Sequence, residues 1–261
     1  MSSPRVQFEI DGSLAFLTVN RPDARNAMTW DMYEALIDAC NRVDASDQVR
    51  VFVLRGAGDK AFISGTDISQ FTEFNAPDAS IKYERHLDAV VDRLERVRVP
   101  TIAQVQGIAA GGGCAIALAC DMRVCAPEAL FGVPIARTLG NCLSAANYAR
   151  IIDLIGPALT KDILFTGRLI DAAEADGLGL VTRLAPRSEI DAVTRALADS
   201  MASNAPLTLR ATKEAVRRIQ EHRRIDRELA DDLILMCYTS DDFKEGVSAF
   251  LAKRAPKFSG R

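Results

Sequence analysis

The 261-residue sequence has little of what metal sites, disulfide scaffolds and membrane spans require. It contains two histidines and six cysteines without a CxxC pair, so we predict neither a zinc site nor a disulfide framework. Its most apolar stretch, residues 108–120, is shorter than the ~18 residues of a membrane span. Residues 1–5 contain no apolar signal-peptide core. We therefore expect a cytoplasmic protein whose thiols are free.

The chain also carries little net charge of either sign. The net charge is −3, so the chain has no general basic field for nucleic acid or for an anionic membrane, and we expect neither as a partner. Hydrophobic residues make up 48% of the sequence, which is enough to bury a large core without covalent staples. These absences leave a globular protein that acts on small molecules or on other proteins.

The order of the predicted elements indicates an α/β core followed by helices. Strands are predicted at 6–10 and 14–19 around a turn, and then at 49–54, 101–105, 122–125 and 129–131. Amphipathic helices are predicted after Thr29 and around Leu87, and helical patterns dominate beyond about residue 139. We predict a core over residues 1–200 and a helical region over residues 201–261. Its last helix, at 241–253, is expected to dock either on its own domain or on a neighbouring subunit.

A glycine run near the middle of the chain precedes an apolar helix. Residues 106–121 read QGIAAGGGCAIALACD, and a buried helix that starts at such a run exposes unpaired N–H groups and about half a positive charge. Glycine also allows a ligand oxygen to approach the backbone closely. One interpretation is an anion or oxyanion site at Gly112. The other is a tight turn whose glycines allow close packing of a helix on a sheet.

A second segment, residues 59–68, follows a predicted strand and reads DKAFISGTDI. Loops after strands commonly carry the sites of α/β sheets. Gly65 permits an irregular backbone with the Ser64 amide pointing inward, whereas an Asx-type turn at Asp67 explains the same residues without a site. Residues 56–61 also match the dinucleotide pattern GxGxxA. We reject a nicotinamide site there, because Asp59 occupies the pyrophosphate position and no amphipathic helix follows.

Taken together, these segments resemble the crotonase family, also called the enoyl-CoA hydratase/isomerase family. The matching stretches are residues 19–27, 61–68, 106–121, 131–134 and 240–254, in the family's order and over nearly the whole chain. The resemblance implies an α/β fold, a spiral of ββα units with an α-helical C-terminal trimerisation region. It also implies a homotrimer or a pair of trimers. The implied substrate is an acyl-CoA thioester, and no further cofactor is expected.

The resemblance assigns roles by motif position. Two backbone amides, Ser64 N–H and Gly112 N–H, are expected to polarise the thioester carbonyl and to stabilise an enolate. Residues expected to contact the substrate flank these amides or meet its CoA part, and Phe250 and Lys253 reach CoA from the next subunit in some relatives. The full set of substrate-binding positions is Arg25, Ala27, Gly65, Thr66, Asp67, Ile68, Gly111, Phe250 and Lys253.

The sequence departs from the family where hydratases carry two glutamates. Those positions hold Ala115 and Ile135, which cannot transfer protons. Three other residues are candidates for the missing chemistry. Cys142, near a predicted helix start, is either a proton-transfer group with a lowered thiol pKa or a small buried residue. Arg137 either clamps a substrate carboxylate or has a structural role. His86 is either an acid–base group or a solvated residue.

The expected activity is that of an acyl-CoA-processing enzyme resembling enoyl-CoA hydratase. A decarboxylase of malonyl-type thioesters, or another thioester lyase or hydrolase, is the alternative within the family, because decarboxylation needs only enolate stabilisation. A noncatalytic acyl-CoA binding protein is the alternative from another class, because the usual acid–base groups are absent.

Overall fold

The computed structural model describes residues 4–73, 77–224 and 226–260. Residues 1–3, part of the segment in which no signal-peptide core is predicted, lie outside these ranges. The strands are β1 Val6–Asp11, β2 Leu14–Val19, β3 Val51–Gly56, β4 Ala61–Ile63, β5 Thr101–Val105, β6 Ile108–Ala110, β7 Met122–Cys125, β8 Leu130–Gly132, β9 Ile170–Asp171 and β10 Arg183–Leu184. The helices are α1 Trp30–Ala45, α2 Pro77–Glu95, α3 Gly112–Ala119, α4 Ile135–Thr138, α5 Ala145–Thr166, α6 Ala172–Gly177, α7 Ile190–Ala202, α8 Pro206–Glu221, α9 Asp231–Tyr238 and α10 Asp241–Leu251.

Pairs of consecutive strands build two sheets. The larger sheet has the order β1-β2-β3-β5-β7-β10, and the smaller has the order β4-β6-β8-β9. In each ββα unit the first strand joins the larger sheet and the second joins the smaller sheet, and both runs are parallel. Because parallel neighbours need a crossover, each unit advances the chain by one strand and produces a spiral. The predicted α/β spiral of ββα units is therefore confirmed.

The predicted strands and early helices occur close to their expected positions. The hairpin of β1 and β2 is antiparallel, and α1 begins directly after Thr29. The short strands β4 and β6 were not predicted, since three residues carry no readable periodicity. The rejected dinucleotide pattern at 56–61 leads into β4 and not into a helix. Within the described ranges, no helix has both the length and the apolarity that a membrane span needs.

The last helix docks on its own chain. Phe243 of α10 is buried, and its ring centroid lies 6.0 Å from that of Phe71 and 4.7 Å from that of Tyr238. A β-carbon at Gly246 would lie 2.3 Å from the Leu139 carbonyl oxygen, so α10 presses against the segment before α5. The predicted boundary at residue 200 falls in the last turn of α7, and the division into two regions stays a prediction.

Candidate active site

The glycine run forms the start of α3 and serves close packing. Gly111 precedes the helix with a φ of 53°, a conformation that favours glycine. A β-carbon at Gly113 would lie 2.0 Å from the Ile63 carbonyl oxygen, which forces glycine wherever α3 meets β4 this closely. The packing interpretation is thus correct for Gly113. It does not exclude a site at the neighbouring amide, which lies at the N-terminal end of the helix.

The second loop, residues 64–67, is held by contacts with the segment before α1. Thr66 forms a parallel bridge with Met28, and the Gly65 carbonyl accepts a hydrogen bond of 2.8 Å from the Met28 N–H. Asp67 accepts hydrogen bonds from Ser69, and its Oδ2 lies 2.7 Å from Nη1 of Arg21. Burial alone would raise the pKa of Asp67, but these bonds lower it. Asp67 therefore holds this loop as an ionised carboxylate.

The two loops lie against each other. A β-carbon at Gly65 would be 3.3 Å from the Ala110 carbonyl oxygen, and one at Gly111 would be 3.8 Å from the Gly65 α-carbon. The Ser64 N–H donates a hydrogen bond of 3.2 Å to the Arg25 carbonyl. Among the described residues, no hydrogen-bond acceptor is assigned to the Gly112 N–H. Of the two expected amides, the Gly112 N–H therefore has no partner among the described residues, and the Ser64 N–H makes a hydrogen bond within the chain.

A chain of buried hydroxyls connects the two loops. The Tyr33 hydroxyl lies 2.8 Å from Thr66 Oγ1, which lies 2.9 Å from the Tyr83 hydroxyl. A β-carbon at Gly112 would lie 2.8 Å from the Tyr33 oxygen, so the same hydroxyl touches both loops. Burial, the largest effect, raises the pKa values of both tyrosines. At neutral pH these hydroxyls therefore keep their protons and act as hydrogen-bond donors as well as acceptors.

Behind the loops, α3 faces a narrow apolar space that we call the inner chamber. It is bounded by Ala115, Leu143 and Asn147, and its volume in this structure is about 10 Å³. That volume holds about one water molecule. The chamber is therefore too small to hold an acyl chain in this structure. Ala115 and the half-buried Ile135 bring no ionisable group to this part of the site.

The expected replacements for the glutamates are not brought together in this chain. Cys142 lies two residues before Ser144, the N-cap of α5, and its thiol donates to the Leu233 carbonyl at 3.4 Å. Contact with the Cys237 thiol, together with burial, raises the pKa of Cys142. Of the two alternatives for Cys142, the surroundings favour the small buried residue over the proton-transfer group with a lowered thiol pKa. Cys142 is a small buried residue against α9.

Arg137 and His86 lie in different surroundings. The His86 ring centroid is 6.5 Å from that of Tyr33, whose hydroxyl borders Gly112. Arg137 is exposed on α4, and its β-carbon borders Gly167, so no carboxylate clamp forms in the inner chamber. His86 packs between α2 and α1, with its ring centroid 5.3 Å from that of Trp30. Its Nε2 is 3.5 Å from a Glu34 oxygen. These positions correspond to the structural alternative for Arg137 and to a packed, half-buried residue for His86.

The residues expected to meet CoA lie around the second loop and at the C-terminus. Arg25 is exposed and has a φ of 52°, and Ala27 and Ile68 are half-buried. Arg25 borders a groove of about 440 Å³ that Lys60 also lines. Phe250 is 52% exposed, and Lys253 is exposed beyond the end of α10. The structure thus leaves these last two side chains accessible but does not bring them to the loops.

Two buried polar residues escaped the sequence reasoning. Asn26 is fully buried and donates to the carbonyls of Ala57 and Ala61, which fixes the loop before α1 to β4. Glu84 is 2% exposed on α2 and accepts a hydrogen bond of 2.5 Å from the Tyr238 hydroxyl. The sequence does indicate that Glu84 is buried, because it lies three residues before Leu87 on the apolar face of an amphipathic helix.

The comparisons with known proteins agree with this architecture. The sequence model of the family described as Enoyl-CoA hydratase/isomerase matches residues 9–261. The short-chain-enoyl-CoA hydratase of Clostridium acetobutylicum is 34% identical over 256 residues, which are 97% of each chain. A solved enoyl-CoA hydratase/carnithine racemase from Magnetospirillum magneticum has a TM-score of 0.80 at 34% identity, covering 100% of this chain and 97% of that one.

A methylmalonyl-CoA decarboxylase, solved in complex with 2-nitronate-propionyl-CoA, has a TM-score of 0.91 over the whole of both chains. Its identity to this chain is 23%, so it shows a likeness of fold alone. The fold and the two adjacent loops define an α/β protein of the ββα-spiral class. With a family match over nearly its whole length, the chain belongs to the enoyl-CoA hydratase/isomerase, or crotonase, family and is an acyl-CoA-processing enzyme related to enoyl-CoA hydratases.

Proposed function

We propose that this enzyme binds the carbonyl of an acyl-CoA thioester between the Ser64 and Gly112 amides and stabilises the enolate formed from it. The contact between the two loops carries the proposal, since Gly65 and Gly111 approach closely and Tyr33 touches both segments. Each fixed donor of this type is worth about 3 kcal/mol of transition-state stabilisation. The N-terminal end of α3 adds its helix dipole at the same point.

The acidic and basic groups of the site decide which reaction follows. Hydration resembling that of enoyl-CoA hydratases is the activity that the full-length relatives favour. Decarboxylation of a malonyl-type thioester requires only the enolate to be stabilised, although the exposed position of Arg137 leaves this chain without the expected carboxylate clamp. Noncatalytic acyl-CoA binding is the second candidate, and the observation behind it is that neither Ala115 nor Ile135 transfers protons.

The groove beside the second loop is the candidate site for the nucleotide part of the substrate. Arg25 and Lys60 offer positive charge to its phosphates beside the acidic Asp23 and Asp59, and the Arg25 carbonyl accepts a hydrogen bond from the Ser64 amide. We infer that CoA is the substrate's carrier and that no separate cofactor takes part. The proposal further includes a cytoplasmic homotrimer or a pair of trimers, which light scattering of the purified protein measures.

A panel of crotonyl-CoA, malonyl-CoA and methylmalonyl-CoA tests the reaction. Hydration of crotonyl-CoA, measured by loss of enoyl absorbance, is expected to be slow in the natural protein. The variant Ala115→Glu is expected to be faster than Ala115→Gln, which adds the same volume without an ionisable group. Equal rates in these variants and the natural protein would contradict the argument from the missing glutamates. Binding without turnover across the panel would favour the noncatalytic function.

A further inference from the structure

The buried side of α2 carries one carboxyl group that pairs with α9. Glu84 is 2% exposed, and its Oε1 accepts a hydrogen bond of 2.5 Å from the Tyr238 hydroxyl of α9. The same hydroxyl accepts a hydrogen bond of 2.9 Å from Asn141 Nδ2. Burial of a charged carboxylate lowers the free energy of unfolding, unless the carboxyl group is protonated or paired.

Two oxygens of this cluster are buried and unsatisfied. Glu84 Oε2 and Asn141 Oδ1 have no hydrogen-bond partner in the described part of the chain. They flank one hydroxyl, that of Tyr238, which bonds both residues. Buried acceptors are normally satisfied, so such a pair indicates a place for a proton on the carboxyl or for a donor supplied by a ligand or water.

Glu84 lies three residues before Leu87, the α2 residue that faces Gly112. A β-carbon at Gly112 would lie 3.7 Å from Cδ1 of Leu87. Residues three apart on a helix are neighbours, about 5–6 Å between β-carbons, so Glu84 lies one step along the same face. Tyr83, the residue before Glu84, meets the second loop through Thr66. The turn 83–87 of α2 therefore borders both amide-bearing loops.

We propose that the Glu84 carboxyl transfers the proton of the thioester α-carbon, in place of the glutamates absent at 115 and 135. This inference rests on the proposed function. In the forward step the α-carbon–hydrogen bond breaks, its electron pair enters the enolate, and the proton bonds to Oε2 of the Glu84 carboxylate. In the reverse step the carboxyl O–H bond breaks, its electron pair stays on oxygen, and the α-carbon receives the proton.

The surroundings of Glu84 suit a group that exchanges a proton near neutral pH. Burial, the largest effect, raises its pKa to about 8. The Tyr238 hydrogen bond lowers the pKa, the charge of Asp88 raises it, and the backbone N–H of Ser144, which interacts with the carboxylate, lowers it. Titratable groups of every neighbouring element interact with it electrostatically: Tyr33 of α1, Tyr83 and Asp88 of α2, Cys142 before α5, Tyr148 of α5 and Tyr238 of α9. Among these groups there is no cation, so nothing opposes the effect of burial with a positive charge.

Exchange of the α-protons of butyryl-CoA in D₂O, followed by NMR, tests the proposal without requiring a known reaction. The natural protein is expected to accelerate exchange with a rate that rises through about pH 8, as the carboxylate forms. Glu84→Gln is expected to bind butyryl-CoA with unchanged affinity and to lose at least about 100-fold in exchange. Glu34→Gln, the same change at an exposed site, is expected to exchange at the natural rate.

The variant Tyr238→Phe supplies a readout that a structural role of Glu84 does not move. Because the Tyr238 hydrogen bond lowers the pKa of Glu84, its loss should shift the midpoint of the exchange profile to higher pH. Three results would each overturn the proposal. They are exchange by Glu84→Gln at the natural rate, an unshifted midpoint in Tyr238→Phe, and binding without exchange in the natural protein. Absence of butyryl-CoA binding in calorimetry would instead overturn the proposed function on which it rests.

Discussion

Substitution of Gly112 by alanine tests the approach of the two loops. The added β-carbon would lie 2.8 Å from the Tyr33 hydroxyl oxygen and 3.6 Å from Thr66 Oγ1. Contacts below 3.0 Å force a shift, and overpacking of a tight core costs about 1–3 kcal/mol. For a chain of this size each kcal/mol lowers the Tm by about 2–4 °C, so we expect a loss of about 2–12 °C in a thermal scan.

The variant Tyr33→Phe in the Gly112→Ala background is expected to restore most of this loss, because it removes the oxygen that the β-carbon meets. Gly177→Ala is the matched control, since a β-carbon there meets nothing within 4 Å. It should leave the stability unchanged or raise it slightly, by helix propensity. An unaltered Tm for Gly112→Ala, or no recovery in the double variant, would refute the packing that joins Tyr33 to the glycine run.

Three further predictions concern single side chains. Asp67→Asn removes the charge that Arg21 pairs with and should weaken butyryl-CoA binding about tenfold in calorimetry, because a charged hydrogen bond is worth about 1.5–3 kcal/mol before partial exposure reduces it. Asn26→Ala removes the side-chain donor to the Ala57 and Ala61 carbonyls and the side-chain acceptor of the Arg21 N–H, and it should cost at least about 2 kcal/mol in urea unfolding. The folded pKa of Glu84, about 8, lies above its usual value of 4.5, so its stabilising effect is complete below pH 4.5 and is lost as the pH rises to about 8. The stability of Glu84→Gln relative to the natural protein should therefore increase across that window, by up to about 1.4 kcal/mol per pH unit, and a constant difference would contradict the buried acid.

The sequence predicted those parts of the fold that depend on local patterns. The hairpin of β1 and β2 has turn chemistry at Gly12, and α1 and α2 have clear amphipathic faces. By contrast, β4 and β6 contain three residues each, and only their pairing in the second sheet defines them. A local pattern does not determine the docking of α10, because Phe243 and Gly246 contact Phe71 and Leu139, which lie far away in sequence.

The candidate site divides in the same way. The positions of Ser64 and Gly112 follow from two local motifs, and the structure brings the two loops together. The sequence leaves two alternatives for Cys142, because its environment comes from α9, about ninety residues further along the chain, and a predicted helix start does not reveal that burial. Glu84 was missed for the same reason, since its partner Tyr238 is 154 residues away in sequence.

The most direct test of the central claim is a structure of the protein with bound butyryl-CoA. We predict that the thioester oxygen lies within about 3 Å of both the Ser64 and the Gly112 amide nitrogens. The Arg25 carbonyl, which accepts the Ser64 N–H in the ligand-free protein, should then have moved away from it or share it. A thioester oxygen bound elsewhere, with the Ser64 N–H still on Arg25, would contradict the account.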